Sequence, residues 1–134
     1  MRKNNFVVFL VFSALLLCNC RSEETEKLVG IWKLEILDIN GTALRGTSLG
    51  NWLWEFNDKG GYLINVAGAV QKGKYTLHNR QLKLDPVGSK EPPGQIYSVA
   101  KLDSSALHLV SSTDKNKTML FFIKIGSKEI GEKD

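Results

Sequence analysis

The chain has two cysteines in 134 residues, Cys18 and Cys20, and none after position 20. No disulfide framework can therefore staple the body of the protein, and the two cysteines lie one residue apart, poor geometry for a bond between them. Only two histidines occur, His78 and His108, with no third ligand clustered beside them, so no metal site is expected. No apolar run reaches the ~18 residues that a membrane-spanning helix needs. No stretch of Lys and Arg is interleaved with aromatics, and basic residues alternate with acids, which argues against a nucleic-acid groove. Arg2 and Lys3 supply two of the four net positive charges, leaving +2 from Cys20 onward. A nucleophile with its base and a pair of placed carboxylates are both missing from the pattern. Glu55 and Asp58 fall at a strand end and its turn, where a hairpin role is expected, so neither catalysis nor a cofactor is expected.

What is present begins with a leader. Residues 1–5 are a short basic segment, and residues 6–17 are twelve apolar or small residues, the length of a signal-peptide core. The residues that follow resemble a lipobox, the cleavage motif of bacterial lipoproteins. Cys20 has Leu17 three places before it and Asn19 just before it, whereas Cys18 would follow the bulky Leu17 directly. Cys20 is therefore the expected acylated residue, although Asn19 departs from the usual Gly, Ala or Ser. An ordinary secretory leader is the alternative. Residues 1–19 then form the signal peptide and 20–27 the acylated cysteine and a polar tether. At ~3.3 Å per residue, the seven residues 21–27 reach at most about 23 Å, so the domain stays near a bilayer. Glu23 and Glu24 are similar to the acidic signal that sends some lipoproteins to the outer cell surface; a solvated linker is the alternative. The expected location is the bacterial cell envelope, lipid-anchored at the outer membrane.

From position 28 no helical period of ten residues occurs, while short apolar alternations recur between turn residues. Eight strands are expected, at 28–39, 51–56, 62–66, 73–77, 81–84, 95–102, 107–110 and 118–125, with 126–134 a loose tail. The last strand is apolar on both faces, so alternation does not choose its inward side. Residues 57–60, 78–80 and 103–106 are tight links, 40–50 and 85–94 are long, and the other two links are intermediate. In an up-and-down antiparallel sheet this alternation places long loops at one end, a mouth, and short ones at the other, a floor. The expected fold is all-β, an eight-stranded up-and-down antiparallel β-barrel over residues 28–125. With the tether joining at the floor, the mouth should face away from the membrane.

Leu28-Val29-Gly30-Ile31-Trp32-Lys33-Leu34 resembles the Gly-x-Trp signature that opens the first strand of lipocalins, and more closely the lipocalin-like domains of bacterial lipoproteins. The similarity continues through the segment from Trp54 to Tyr62, Gly73-Lys74-Tyr75-Thr76-Leu77, Leu82-Lys83-Leu84, and the segment from Leu102 to Leu109. In lipocalins a basic residue near the end of the last strand packs on the first-strand tryptophan. Lys124 occupies a similar place where arginine is usual. The resemblance thus implies a structural floor plug of Gly30, Trp32 and Lys124. An ammonium stacks less well than a guanidinium, so this plug should be looser or rest on a hydrogen bond.

Trp52 and Trp54 fall on the strand that runs down from the long first loop, and Tyr75 and Tyr97 are expected to start near the same end. These four are the candidate pocket residues, and each of the two tyrosines couples an apolar ring to a hydroxyl able to orient a ligand. The bland alternative is that all four simply fill the barrel. The leading functional expectation is a membrane-anchored protein holding a small apolar or amphipathic molecule without chemistry. The rival is a packed barrel whose loops contact another envelope protein, a glycan or a foreign enzyme. An interior cavity of ~300 Å³ or more would favour the first, and a filled interior the second. A META-type lipoprotein domain is a weaker structural alternative, because its usual Gly-Cys-Asn segment is absent.

Overall fold

The computed structural model describes residues 22–88 and 94–127. Both cysteines, the leader, the tail from 128 and part of the proline-bearing link lie outside the described residues.

The described chain opens on a helix, α1, Glu23–Leu28, where the sequence pattern suggested an extended tether. Ser22 caps it, its Oγ accepting the Thr25 N–H at 3.2 Å. Three glutamates in the first turn and Lys27 in the last complement the helix dipole. Six residues cannot display a helical period, which is why the segment read as featureless. Its last residue, Leu28, is fully buried and belongs to the core.

Nine strands follow: β1 Gly30–Ile39, β2 Thr42–Arg45, β3 Trp52–Phe56, β4 Gly61–Val66, β5 Ala69–His78, β6 Gln81–Pro86, β7 Gln95–Leu102, β8 Ala106–Ser112 and β9 Lys117–Gly126. All pairings are antiparallel between neighbours from β3 to β9, and β9 returns to pair with β1. Eight strands therefore close into a barrel, as the alternating pattern predicts. The ninth, β2, is an added hairpin arm. The first half of β1 pairs with β3 through Gly30↔Phe56 to Lys33↔Leu53, and its second half pairs with β2 through Ile36↔Arg45 to Ile39↔Thr42. Register shifts between Leu34 and Ile36 and between Val99 and Lys101 bend the strands toward closure.

The loop expected at 40–50 is thus largely structured, as β2 and a 3₁₀ turn, Gly46–Leu49, whose Leu49 is buried. The β4–β5 link, expected to be intermediate, is the two-residue turn Ala67-Gly68, with φ of 52° and 91°. Strand β5 starts four residues earlier than its apolar pattern suggested. Of the four connections at the mouth, only β1–β3 and β6–β7 are long; β4–β5 and β8–β9 are hairpin turns. At the floor, Asn57 Oδ1 accepts the N–H groups of Lys59 and Gly61, and Asp103 Oδ1 those of Ser105 and Ala106. These side chains do locally what a turn requires.

Candidate functional site

The closed end is built around Trp32. Its indole is fully buried, and its Nε1 donates to the Leu28 carbonyl at 2.8 Å, tying β1 to the end of α1. Lys124 pairs across from Trp32 on β9, with its Nζ 5.0 Å from the centroid of the indole ring. The same ammonium donates to the Lys27 carbonyl at 3.0 Å. Desolvation pulls the Lys124 amine below its ordinary value. Gly30 makes room: a Cβ there would lie 2.8 Å from the Gly126 carbonyl and 2.9 Å from Lys124 Cε, and φ is +142°. Gly30, Trp32 and Lys124 thus meet at one place, with a hydrogen bond supplying what an ammonium lacks in stacking.

Above this, alternation sends Trp54 and Phe56 from β3, Tyr75 from β5, Tyr97 from β7 and Phe122 from β9 into the barrel. Ring centroids are 4.9 Å apart for Trp54 and Phe122, 5.7 Å for Trp54 and Tyr97, and 5.1 Å for Phe56 and Tyr75. At this level the interior is filled by rings, with Leu82, Leu84, Leu107 and Leu109 completing the core. The phase left open for β9 resolves here, since Leu120 and Phe122 are buried and Ile123 is exposed. Tyr75 is not near the mouth. Its Oη donates to the Asn57 carbonyl in a floor turn at 2.7 Å, because β5 begins at Ala69 and Tyr75 falls in its lower half. The four candidate pocket residues therefore separate: Trp54 and Tyr97 touch, Trp52 lies above them, and Tyr75 is at the other end.

Toward the mouth the same inward faces open. Cross-strand partners share a face, so the register groups Trp52 with Val66, Ile64 with Trp54 and Gln71, and Leu37 with Leu44 and Leu120. Leu37, Trp52, Ile64 and Val66 are only half-buried. Ile39 and Leu44, on the rim, are 42% and 41% exposed. Leu77 and Leu102, inward near the floor, are half-buried too, so what distinguishes the mouth end is its exposed apolar rim; the part of the inner wall above Trp54 and Tyr97 is termed the cup. Sequence reasoning missed Leu37, Ile39, Leu44 and Ile64 as cup residues, because apolar residues on a β-strand announce burial and not which level of a barrel they reach. A further groove of roughly 500 Å³ is bordered on the outer wall by Lys59, Leu63, Lys72, Lys74 and Val87, and Tyr62 and Gly73 also line it.

Among the described residues, two buried side-chain polar atoms have no hydrogen-bond partner: Trp54 Nε1 and Tyr62 Oη. Each residue is 4% exposed. Tyr62 shares the inward face with Phe56 and Gly73, and a Cβ on Gly73 would come within 2.7 Å of Tyr62 Cε1, so glycine lets the ring lie flat there. Tyr97 Oη, by contrast, donates to Gln95 Oε1 at 2.7 Å, and Gln95 is exposed on the same face at the rim. Burial, and then the neighbouring Tyr62, push the Tyr97 phenol up to about 12. Burial, and then Asp85, raise that of Tyr62. His108 points outward, its ring 4.6 Å from that of Phe121, and desolvation and Lys101 lower its pKa. Among the described residues no three His, Cys, Asp or Glu side chains gather into a group that could hold a metal ion.

Neither a family model nor a curated protein matches this sequence. Among solved structures, a lipocalin-like protein from Bacteroides uniformis is similar, at 21% identity and a TM-score of 0.56 over 74% of this chain and 99% of that one. An uncharacterized protein from Bacteroides eggerthii is similar at 16% identity and a TM-score of 0.55, over 73% and 99%. The likeness is one of fold, and the fold is a lipocalin-like closed barrel of eight antiparallel strands.

Proposed function

We propose that this protein is a lipid-anchored carrier or sensor that holds a small apolar or amphipathic molecule in the mouth of its barrel and performs no chemistry on it. The observation that carries the reading is the apolar surface at the mouth end of the inner wall. Above Trp54 and Tyr97, the residues Leu37, Trp52 and Ile64 pack on the core but are only half-buried, and the rim residues Ile39 and Leu44 are 42% and 41% exposed. Apolar surface that a closed barrel leaves open is favourable to cover, at roughly 25 cal/mol per Å².

The anchor in this reading is Cys20, acylated after removal of residues 1–19, at the outer membrane of a bacterial envelope. Helix α1 meets the barrel at its closed end, which supports an arrangement with the mouth pointing away from the bilayer. Cys20→Ala should release the protein into soluble fractions, since one acyl chain gives marginal and two give stable anchoring. Continued lipid labelling of Cys20→Ala, with loss in Cys18→Ala, would reassign the anchor.

The filled lower barrel favours a second reading, in which the rim and the β1–β2 arm contact another envelope protein or a glycan. Native mass spectrometry of the mature protein purified without detergent separates the two. A retained small molecule supports the carrier; a bare protein that captures no apolar probe from solution favours the interaction module.

A further inference from the structure

The barrel interior contains two buried hydrogen-bonding groups that have no partner among the described residues, and they constrain what a ligand brings with it. Trp54 Nε1 can only donate, and Tyr62 Oη can donate or accept. A buried donor without an acceptor is costly, so these two atoms favour any ligand that supplies one. Both belong to inward-facing residues, and both bear on Tyr97: the Trp54 ring lies 5.7 Å from that of Tyr97, and Tyr62 is near enough to act electrostatically on its phenol. Tyr97 in turn is held toward the mouth by Gln95, an exposed side chain that can let go. A polar head entering the cup therefore reaches the pair by displacing the Tyr97 hydroxyl.

The charge of that head is constrained as well. The inward faces described from Leu34 up to the rim carry no Lys, Arg or His, and the cation at the floor, Lys124, is committed to the Lys27 carbonyl beneath Trp32. The charged group acting on Tyr62 is Asp85, an acid. A carboxylate or phosphate placed here would be buried without a counter-ion, whereas a neutral oxygen acceptor would satisfy the indole N–H at no such cost.

Resting on the carrier reading, we propose that the cup selects ligands with an uncharged oxygen head, an alcohol, amide or ester, inserted head-first onto Trp54 Nε1 and Tyr62 Oη with the apolar tail among Trp52, Ile64 and Leu37. The test compares decanol, decanamide and decanoate at about pH 8, where the acid is fully ionised, by calorimetry on the mature protein and on Tyr62→Phe. Decanol and decanamide should bind at least about tenfold more tightly than decanoate. Tyr62→Phe should fold at least as stably as the parent, since it deletes a buried hydroxyl that has no partner, and should lose several-fold affinity for the neutral heads only. Decanoate binding as tightly as decanol, or a Tyr62→Phe protein that melts clearly lower, overturns the head-group proposal while leaving the carrier reading in place. Failure of all three probes to bind overturns both.

Discussion

The ammonium of Lys124 lies 5.0 Å from the centroid of the Trp32 ring and at the same time donates to the Lys27 carbonyl at 3.0 Å. One side chain thus joins the last strand, the first strand and the helix that precedes the barrel. Lys124→Met keeps the apolar stem and removes the charge, so it should lower stability by roughly 1–2 kcal/mol, which chemical denaturation would read directly. Trp32→Ala should cost ~3 to 5 kcal/mol, close to the whole stability of a small domain. A Trp32→Ala protein with unchanged melting and lost ligand binding would contradict a structural role for the floor. Gly30→Ala should destabilise in the same direction, because its Cβ would push on Lys124 Cε and the Gly126 carbonyl.

Tyr75 and Trp52 should behave oppositely. Tyr75→Phe removes the bond to the Asn57 carbonyl at the floor and should cost about 1 kcal/mol while leaving probe affinity untouched. Trp52→Ala, at a half-buried rim position, should cost less than a core truncation and lower the affinity for an apolar probe by tenfold or so. The pair of melting curves and titrations checks both halves. Loss of binding in Tyr75→Phe would return Tyr75 to the pocket.

That contrast marks how far the sequence reached. Eight strands, their order and the closure were legible because the period-two alternation in Trp52-Leu53-Trp54-Glu55-Phe56 and its counterparts repeats between recognisable turns. The level of each residue in the barrel was not. The Ala67-Gly68 turn needs φ > 0 at an alanine, which no turn preference announces, so β5 read as starting at Gly73 and Tyr75 was placed four residues too high. The β1–β2 turn is different: Asn40-Gly41 is the strongest short hairpin signal there is, and the exposed, mixed character of Thr42–Arg45 hid the strand behind it. Of the candidate site, Trp54 and Tyr97 could be named from composition and position, but the partnerless state of Trp54 Nε1 and Tyr62 Oη exists only once the barrel is closed.

The rim depends on Asn40. Its Nδ2 donates to Asn116 Oδ1 at 2.8 Å and its Oδ1 accepts the Lys117 N–H at 2.8 Å, clasping the β1–β2 turn to the β8–β9 turn. Asn40 also sits at φ 54°, where alanine is disfavoured. Asn40→Ala should therefore cost about 1–2 kcal/mol and speed hydrogen exchange at the Lys117 amide, whereas exchange at the floor amides should stay unchanged. Equal acceleration at both ends would argue against a local clasp.

Alkaline titration should single out Tyr97. Its phenol is raised from the ordinary 10.0 to about 12, by burial first and by Tyr62 second. A raised folded-state value means the stabilising contribution is complete below pH 10 and is lost as pH climbs from 10 to about 12, where the unfolded chain has released a proton that the folded one keeps. The share of Tyr97 in the slope over that window amounts to roughly 2–3 kcal/mol and should be lost in Tyr97→Phe, leaving the share of Tyr62, whose phenol is raised as well. Phenolate absorbance followed beside unfolding curves measures both. A Tyr97 that ionises near 10 in the folded protein would mean the base of the cup is open to water.

An apolar ligand that enters the mouth should stop on Trp54 and never reach the floor. The three tryptophans each give one indole N–H signal in a proton–nitrogen correlation spectrum, assignable by single substitution. On addition of decanol the Trp52 and Trp54 signals should move, Trp54 downfield as its Nε1 gains an acceptor, while Trp32, already bonded to the Leu28 carbonyl, stays in place. Movement of Trp32 with Trp54 unchanged, or no movement of any of the three at saturating decanol, would contradict it.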